Sequence, residues 1–277
     1  MTRPQIPPRH APELALLVQV LRRAFGGALP RPFGDTAGRD PVTHVILHTP
    51  GSTVADTLDD PHQAVDLLII TSHRASIDPY PLLESAEQRL RRAVHKGMLL
   101  RRPLHLVFHP RGDVDRQLSA GSELLSRMIR DGLALHAKPG LDVEPVRVSP
   151  AAALAEASAQ DLATRIQASD FLFHAVDGAR GSRRKAVFLI HQAVEQAYSR
   201  ILRVLALYAP RTHSLATLRR LAEPLATRLL GIWPATTAFE RDTFEMLDAS
   251  YGLRRAARTW TVSPEQVAWL AERAALL

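Results

Sequence analysis

The chain has 277 residues, of which 46% are hydrophobic and 23% charged, and it contains no cysteine. This composition is typical of a globular protein, and it excludes disulfide bonds and thiolate metal sites. No apolar run approaches the ~18 residues of a membrane span, and residues 1–10 lack the apolar core of a secretory signal. We therefore expect a cytoplasmic protein with no membrane partner.

The formal net charge of the chain is +7, and most of the excess is arginine. A basic balance favours polyanionic partners such as nucleotides or RNA. The alternative is that basic and acidic side chains are interspersed only for solubility, in which case the charge identifies no partner. The sequence leaves both interpretations open.

The first half of the chain predicts a mixture of helices and strands. Residues 11–25 predict an amphipathic helix ended by Gly26 and Gly27, and residues 50–63, rich in Asp, Thr, Pro and Gly, predict a loop. Apolar and β-branched runs predict strands over residues 42–48, 65–71, 103–109 and 133–136, the second central and the fourth at an edge. Two more helices are predicted over residues 81–96 and 114–131, the latter with a break near residues 119–121.

From Pro150 onward the pattern predicts helices alone, over residues 151–176, 183–207, 215–223, 236–259 and from Pro264 to the end. Ser214 and Ser263 are predicted N-caps. The helix over residues 183–207 is predicted to bury Ala186, Phe188, Leu189, Ala193, Ile201, Leu202 and Leu205. We expect two domains, over residues 1–145 and 150–277, because Gly140, Pro145 and Pro150 interrupt the chain between them.

Three residues in and between two predicted strands are candidates for a functional site. Gly51 and Ser52 follow the first strand, and Asp66 lies in the second. Nucleotidyl transfer uses two metal ions held by hard oxygen ligands. Two carboxylates one residue apart on a strand share a face and so can share those ions. Here Ala64 stands where the partner of Asp66 would be.

This order resembles the minimal nucleotidyltransferase family, which has a strand, Gly-Ser, a loop and then Ser-Asp-x-Asp. The resemblance implies a small mixed-sheet domain in which Gly51, Ser52 and Asp66 bind a nucleotide, with Asp66 as the remaining metal ligand. Ala64 and Gln63 depart from the motif, and the strand over residues 103–109 lacks the downstream carboxylate. We therefore expect transferase chemistry to be lost. Mg²⁺ and a nucleoside triphosphate are expected as cofactors only if the transferase site is active.

Other residues near this motif are further candidates for metal ligands. Asp59 or Asp60 is the alternative source of a second carboxylate, although loop aspartates are more often solvated turn residues. His105 and His109 share one face of the third predicted strand but lie ~13 Å apart, too far to bind one metal ion. We expect both histidines to be exposed or half-buried.

A second set of polar residues lies on the helix over residues 183–207. Arg184, His191, Glu195 and Tyr198 are spaced by seven, four and three residues, so they form one stripe. Such a stripe could cleave RNA, with histidine accepting a proton from the 2′-hydroxyl and arginine stabilising the charged phosphorane. We favour the alternative, in which His191 and Glu195 form hydrogen bonds inside the helical bundle.

The same helix resembles the signature helix of the HEPN family. The matching residues are Ala186, Phe188, His191, Gln192, Ala193 and Glu195, followed by the turn Tyr208-Ala-Pro-Arg-Thr-His213-Ser-Leu215 and by residues 244–251 and Arg254. The resemblance implies an all-α bundle that forms a homodimer. HEPN ribonucleases usually carry Arg-x(4–6)-His on a later helix, but His213 is the last histidine here. We interpret His213 as a residue that closes a turn.

Together these observations predict an α+β protein, with a degenerate nucleotidyltransferase-like domain followed by a HEPN-like domain. The expected function is binding of nucleotide or nucleic acid, in a toxin–antitoxin or phage-defence setting. Three alternatives stay open: a metal-independent HEPN ribonuclease using Arg184, His191 and Glu195, an active nucleotidyltransferase, and a non-catalytic interaction scaffold.

Overall fold

The computed structural model describes residues 8–28, 41–49, 54–60, 63–72, 104–143, 181–255 and 260–277, and the helical residues 86, 89–90, 92–93, 170–171 and 173–174. The chain divides into two compact units, Met1–Ser149 with Pro210–Thr212, and Pro150–Ala209 with His213–Leu277. In their described parts, the first unit combines a sheet with helices and the second contains helices only. We call them the mixed unit and the helical unit.

The mixed unit is built on a four-stranded sheet with the strand order β3-β2-β1-β4. The strands are β1 (Val42–His48), β2 (Val65–Thr71), β3 (Leu104–Pro110) and β4 (Leu133–Ala137). β1 pairs antiparallel with β2 and β4, whereas β2 and β3 are parallel, so the sheet is mixed. The predicted mixture of strands is confirmed, with β2 inside the sheet and β4 at an edge.

Four described helices accompany this sheet: α1 (Ala11–Ala28), α2 (Val54–Asp59), α3 (Arg111–Ser119) and α4 (Glu123–Asp131). The predicted break between α3 and α4 is confirmed, and Ser122 caps α4 by accepting a hydrogen bond from the backbone N–H of Leu125. Residues 86, 89–90 and 92–93 are helical as predicted. The rest of the helix predicted over residues 81–96 lies outside the described residues.

Two predicted boundaries in the mixed unit were wrong. α1 continues through Gly26 and Gly27 instead of ending there. Glycine lowers helix propensity by only about 1 kcal/mol per residue, and Ala24 and Phe25, the two residues immediately before the glycines, are fully buried. The predicted loop over residues 50–63 contains α2, which is anchored by the buried Leu58. Tertiary burial thus outweighs local propensity at both places.

The main described core of the mixed unit lies between α1 and one face of the sheet. Leu14, Leu17, Val18, Leu21, Ala24 and Phe25 of α1 pack against a set that includes Val45, Leu47, Leu67, Ile69 and Phe108. The rings of Phe25 and Phe108 stack with centroids 5.5 Å apart. Full burial of each large apolar side chain contributes about 1.5–3 kcal/mol, so this face holds the sheet and α1 together.

The helical unit contains α5 (Arg183–Ala206), α6 (Leu215–Ala222), α7 (Ala238–Arg255) and α8 (Pro264–Ala274). α5 contacts the other three described helices. Both predicted caps are confirmed: Ser214 accepts from Thr217 N–H, and Ser263 forms a capping box with Gln266. Residues 170–171 and 173–174 are helical, and the remainder of the helix predicted over residues 151–176 lies outside the described residues.

The buried side of α5 differs in part from the predicted one. Its buried residues are Ala186, Val187, Ile190, His191, Ala193, Val194, Tyr198, Leu202 and Ala206. Leu205 was predicted to be buried but is 54% exposed. Leu207 follows with a φ of 49°, and Tyr208 N–H donates to Leu202 O, which ends the helix in a left-handed cap. None of the helices in the described part of the chain combines the length and hydrophobicity needed to cross a membrane.

Candidate functional site

The face of the sheet opposite α1 carries a row of polar residues across three strands. Asp66 in β2 lies opposite His48 in β1 and beside His105 in β3. Register partners on neighbouring strands place their side chains on the same face. His48 Nδ1 lies 3.9 Å from Asp66 Oδ2, and both side chains are buried. The carboxylate predicted to bind a metal therefore lies close to the imidazole of His48, and its register partner in β3 is also a histidine.

The donor atoms around Asp66 do not fit a pair of magnesium ions. Mg²⁺ prefers oxygen ligands in octahedral geometry, whereas the neighbours of Asp66 on both adjacent strands are histidines. Ala64, in the position of the second carboxylate, has no donor atom in its side chain. Among the residues that the structure describes, no group of three or more His, Asp or Glu is arranged to hold a metal ion.

Asp59, one of the two nearby aspartates considered as a replacement for the missing carboxylate, is engaged elsewhere. Asp59, at the end of α2, is paired with the guanidinium of Arg9, and its Oδ1 lies 3.0 Å from His10 Nε2. This hydrogen bond from His10 is the main reason that the pKa of Asp59 is lowered. The carboxylate of Asp59 is therefore directed towards Arg9 and His10. Gly51 and Ser52, the other predicted nucleotide-binding residues, lie outside the described residues.

A second row with polar residues crosses the same face of the sheet four residues further along β2. It contains His44 in β1 and His109 in β3, separated by Ile70. His109 was predicted to be exposed or half-buried, but it is fully buried, with its Nδ1 3.4 Å from Gln117 Nε2 of α3. Desolvation lowers its pKa to about 4. His105 is half-buried as predicted, and desolvation lowers its pKa too.

The histidines of β1 were missed in the sequence. The signal that could have identified them is the spacing of His44 and His48, which places both on one face of an otherwise apolar strand. Because a bulge near residues 42–44 shifts the register, the pairing with β2 was not readable from the sequence.

A separate polar cluster lies in the helical unit around Glu195. The carboxylate of Glu195 contacts two histidines: His213 Nδ1 lies 2.9 Å from Oε1, and His191 Nε2 lies 3.9 Å from Oε2. The amide of Gln192 donates to Oε2 at 3.4 Å. α5 supplies the carboxylate, and the turn that precedes α6 supplies His213. The structure therefore brings together the predicted pair of His191 and Glu195 and adds His213.

The two histidines of this cluster differ in their access to solvent. The side chain of His191 is fully buried, whereas that of His213 is 27% exposed. Desolvation, with a smaller contribution from the neighbouring His213, lowers the pKa of His191 to about 3. His191 is therefore neutral at physiological pH and enclosed by protein. It is poorly placed to exchange a proton with a macromolecular substrate.

Aromatic stacking holds the ring of His213. Its centroid lies 3.9 Å from that of Tyr251 in α7, with 17° between the planes, and His191 lies on the same tyrosine at 5.7 Å. Ser214, the next residue, caps α6. The interpretation of His213 as a turn residue thus accounts for its position in the chain but not for its contacts with Glu195 and Tyr251.

Arg184 lies apart from this cluster. It is exposed in the first turn of α5, and its Nε donates to Trp260 O at 2.5 Å. His191 follows seven residues later, about 10 Å along the helix axis. Tyr198 is buried, and desolvation raises its pKa. The predicted stripe therefore separates into a surface arginine, a central cluster of His191 and Glu195, and a buried tyrosine.

Comparison with known proteins gives no family assignment. The chain matches no protein-family model, and a search of curated proteins found no similar sequence.

Proposed function

We propose that this protein binds nucleotide or nucleic acid without transferring a nucleotidyl group, in a toxin–antitoxin or phage-defence setting. The observation that carries the proposal is the arrangement around Asp66, whose neighbours on both adjacent strands are His48 and His105. A single carboxylate whose register partners on both sides are histidines lacks the oxygen ligands that two Mg²⁺ ions need. The resemblance to nucleotidyltransferase and HEPN domains supplies the ligand class, and the net charge of +7 is in keeping with a polyanion.

The absence of transfer is tested with labelled nucleoside triphosphates in Mg²⁺ or Mn²⁺. We expect no label on protein or on added RNA. Transfer by the wild-type protein that disappears in Asp66→Ala would contradict the proposal and support an active nucleotidyltransferase. Asp115→Ala is the matched control, because Asp115 is an exposed carboxylate of the same unit whose ion pair with Arg111 contributes little to stability.

Binding is tested separately by titrating a fluorescent single-stranded RNA and a labelled nucleoside triphosphate at low salt. We expect RNA affinity that falls as salt is added, because released counterions drive such binding. An interaction scaffold would bind neither probe at any salt concentration. That result would contradict the proposal.

A second candidate function is metal-independent cleavage of RNA. One observation favours it, the 2.9 Å contact between Glu195 and His213. A carboxylate that orients a solvent-accessible imidazole is a common arrangement for general acid–base catalysis.

A further inference from the structure

α5 carries a second apolar stripe besides the one that it buries. Val204 and Leu205 follow Ile201 by three and four residues, a spacing that places all three on one side of the helix. Tyr198 and Leu202 are fully buried, whereas Leu205 is 54% exposed. The helix is therefore apolar on two sides, of which the packing of the helical unit covers only one.

The second stripe lines a shallow surface groove of about 450 Å³. The 3₁₀ turn Thr227–Leu229 and the residues that follow α8 complete the groove. Its large apolar lining residues are Ile201, Val204, Leu205, Leu229, Leu276 and Leu277. Five large hydrophobic residues are exposed in the described part of the chain; Leu205 and Leu276 line the groove, and Leu230 directly follows one of its residues. This concentration of exposed leucines is typical of a surface that binds another molecule.

The charged side chains that line the groove are both arginines. Arg200 lies in α5 immediately before the apolar stripe, and Arg228 lies in the 3₁₀ turn, where it is exposed. No Asp or Glu side chain is among the lining residues that the structure describes. The groove therefore combines an apolar lining with positive charge from two separate elements, and a partner with apolar and acidic groups complements it.

The lining of the groove also distinguishes between classes of occupant. Its described residues include no aromatic side chain, so a nucleic-acid base finds no ring on which to stack. A second copy docked about a two-fold axis would bring the same arginines from both copies into one interface, without a carboxylate from the groove to pair with them. Small ligands favour cavities that bury most of their surface, whereas a shallow groove lined by leucines fits the apolar face of a helix.

We propose that this groove is a docking site for an acidic amphipathic helix of a partner protein. Apolar side chains of that helix, spaced by three and four residues, pack on the exposed leucines of the groove. Carboxylates that flank the apolar face of the helix lie close to Arg200 and Arg228. Docking here is independent of the proposed binding of nucleotide or RNA, because neither Asp66 nor Glu195 lines the groove.

The experiment measures, by fluorescence anisotropy, the binding of a labelled designed peptide to the full chain. The peptide has about 15 residues, the length at which an isolated helix begins to form, and carries a stripe of leucines flanked by glutamates. A matched peptide has lysines in place of the glutamates. We expect the glutamate peptide to bind about 10-fold or more tightly than the lysine peptide, and the difference to shrink as salt is added.

Two variants locate the binding site. Leu205→Asp is expected to lower the affinity of the glutamate peptide by about 10-fold or more, because it places a carboxylate in an apolar contact. Arg228→Glu should weaken binding of the glutamate peptide by about 10-fold and strengthen that of the lysine peptide. Misfolding cannot produce such a reversal. Leu141→Asp and Arg127→Glu are the matched controls, because they make the same changes at exposed positions of the mixed unit and should alter neither affinity.

Other occupants and other sites give distinct results. Equal affinity for the two peptides, or binding of neither, would overturn the docking of an acidic helix. Binding that survives both Leu205→Asp and Arg228→Glu would place the peptide outside the groove. A wild-type dimer that Leu205→Asp converts to a monomer in analytical ultracentrifugation would assign the groove to a second copy, and RNA affinity lost in the same variant would assign it to nucleic acid. Circular dichroism shows that each variant is folded.

Discussion

His48 Nδ1 lies 3.9 Å from Asp66 Oδ2 across the antiparallel pair of β1 and β2, and both side chains are buried. A buried carboxylate is costly unless charge or hydrogen bonds compensate for the loss of water. A second carboxylate beside Asp66 would repel it without bound cations, whereas an imidazole can donate a hydrogen or carry a positive charge. The imidazole of His48 therefore reduces the cost of burying the Asp66 carboxylate.

The contact between these two side chains predicts that removing the imidazole of His48 lowers the stability of the mixed unit. His48→Ala is expected to destabilise the mixed unit by about 1–3 kcal/mol, because Asp66 then loses a polar neighbour in a buried setting. Amide hydrogen exchange of β1 and β2 measures the change. In a double-mutant cycle the cost should shrink when Asp66 is also replaced by Ala. Equal costs with and without the carboxylate would show that the two side chains do not interact.

The burial of His191 predicts a pH-dependent stability of the helical unit. Its pKa is lowered from 6.5 to about 3 in the folded protein, so between these values only the unfolded chain binds the proton. The contribution of neutral His191 to the free energy of unfolding is therefore fully present above pH 6.5, and it is lost progressively as the pH drops towards 3. The expected loss is about 1.4 kcal/mol per pH unit, or about 2 kcal/mol at pH 5.

Urea unfolding followed by tryptophan fluorescence measures this effect, because Trp233, Trp260 and Trp269, the three tryptophans of the chain, all lie in the helical unit. His191→Leu should remove about 1.4 kcal/mol per pH unit from the slope of stability against pH. His174→Leu, at an exposed position, should leave the slope unchanged. The same slope in wild type and His191→Leu would show that His191 does not account for it.

Two leucines three residues apart on α5 are predicted to differ in how much their replacement by alanine lowers stability. Leu202 is fully buried, whereas Leu205 is 54% exposed and lines a shallow surface groove of about 450 Å³. Leu202→Ala is expected to cost about 2–5 kcal/mol, because it leaves a cavity in the bundle. Leu205→Ala should change stability by about 0.5 kcal/mol at most. Denaturant midpoints from tryptophan fluorescence provide the comparison, and similar costs at the two sites would refute the assigned orientation of α5.

Replacing either of two glycines in the mixed unit by alanine is predicted to change its stability in opposite directions. A Cβ at Gly132 would overlap Met128 O and lie 2.5 Å from Ile46 Cγ2, whereas one at Gly112 in α3 would meet nothing within 4 Å. Gly132→Ala is expected to destabilise the unit by about 1–3 kcal/mol through overpacking. Gly112→Ala should stabilise it by about 0.5–1 kcal/mol, because alanine favours a helix. Thermal unfolding followed by circular dichroism compares them, and a neutral Gly132→Ala would contradict the close packing of α4 on β1.

The local elements were largely predictable because each is encoded by neighbouring residues. β1 and β2 have the predicted bounds, since their apolar and β-branched residues favour an extended, buried backbone. Ser214 and Ser263 cap helices as predicted, because a cap depends on only four consecutive residues. The errors arose where packing overrides local preference, as at α2 and at the end of α1.

By itself, the sequence determined the elements of both halves and the absence of a second carboxylate at Ala64, because these depend on residue identity and short-range periodicity. Only the tertiary structure decided that Asp66 lies between His48 and His105, and that His191 is buried while His213 reaches the surface. Strand register and helix packing bring residues together from distant parts of the chain. Helical spacing places His191 and Glu195 on one side of α5, but only the packing of α6 and α7 against α5 determines which side chain reaches solvent.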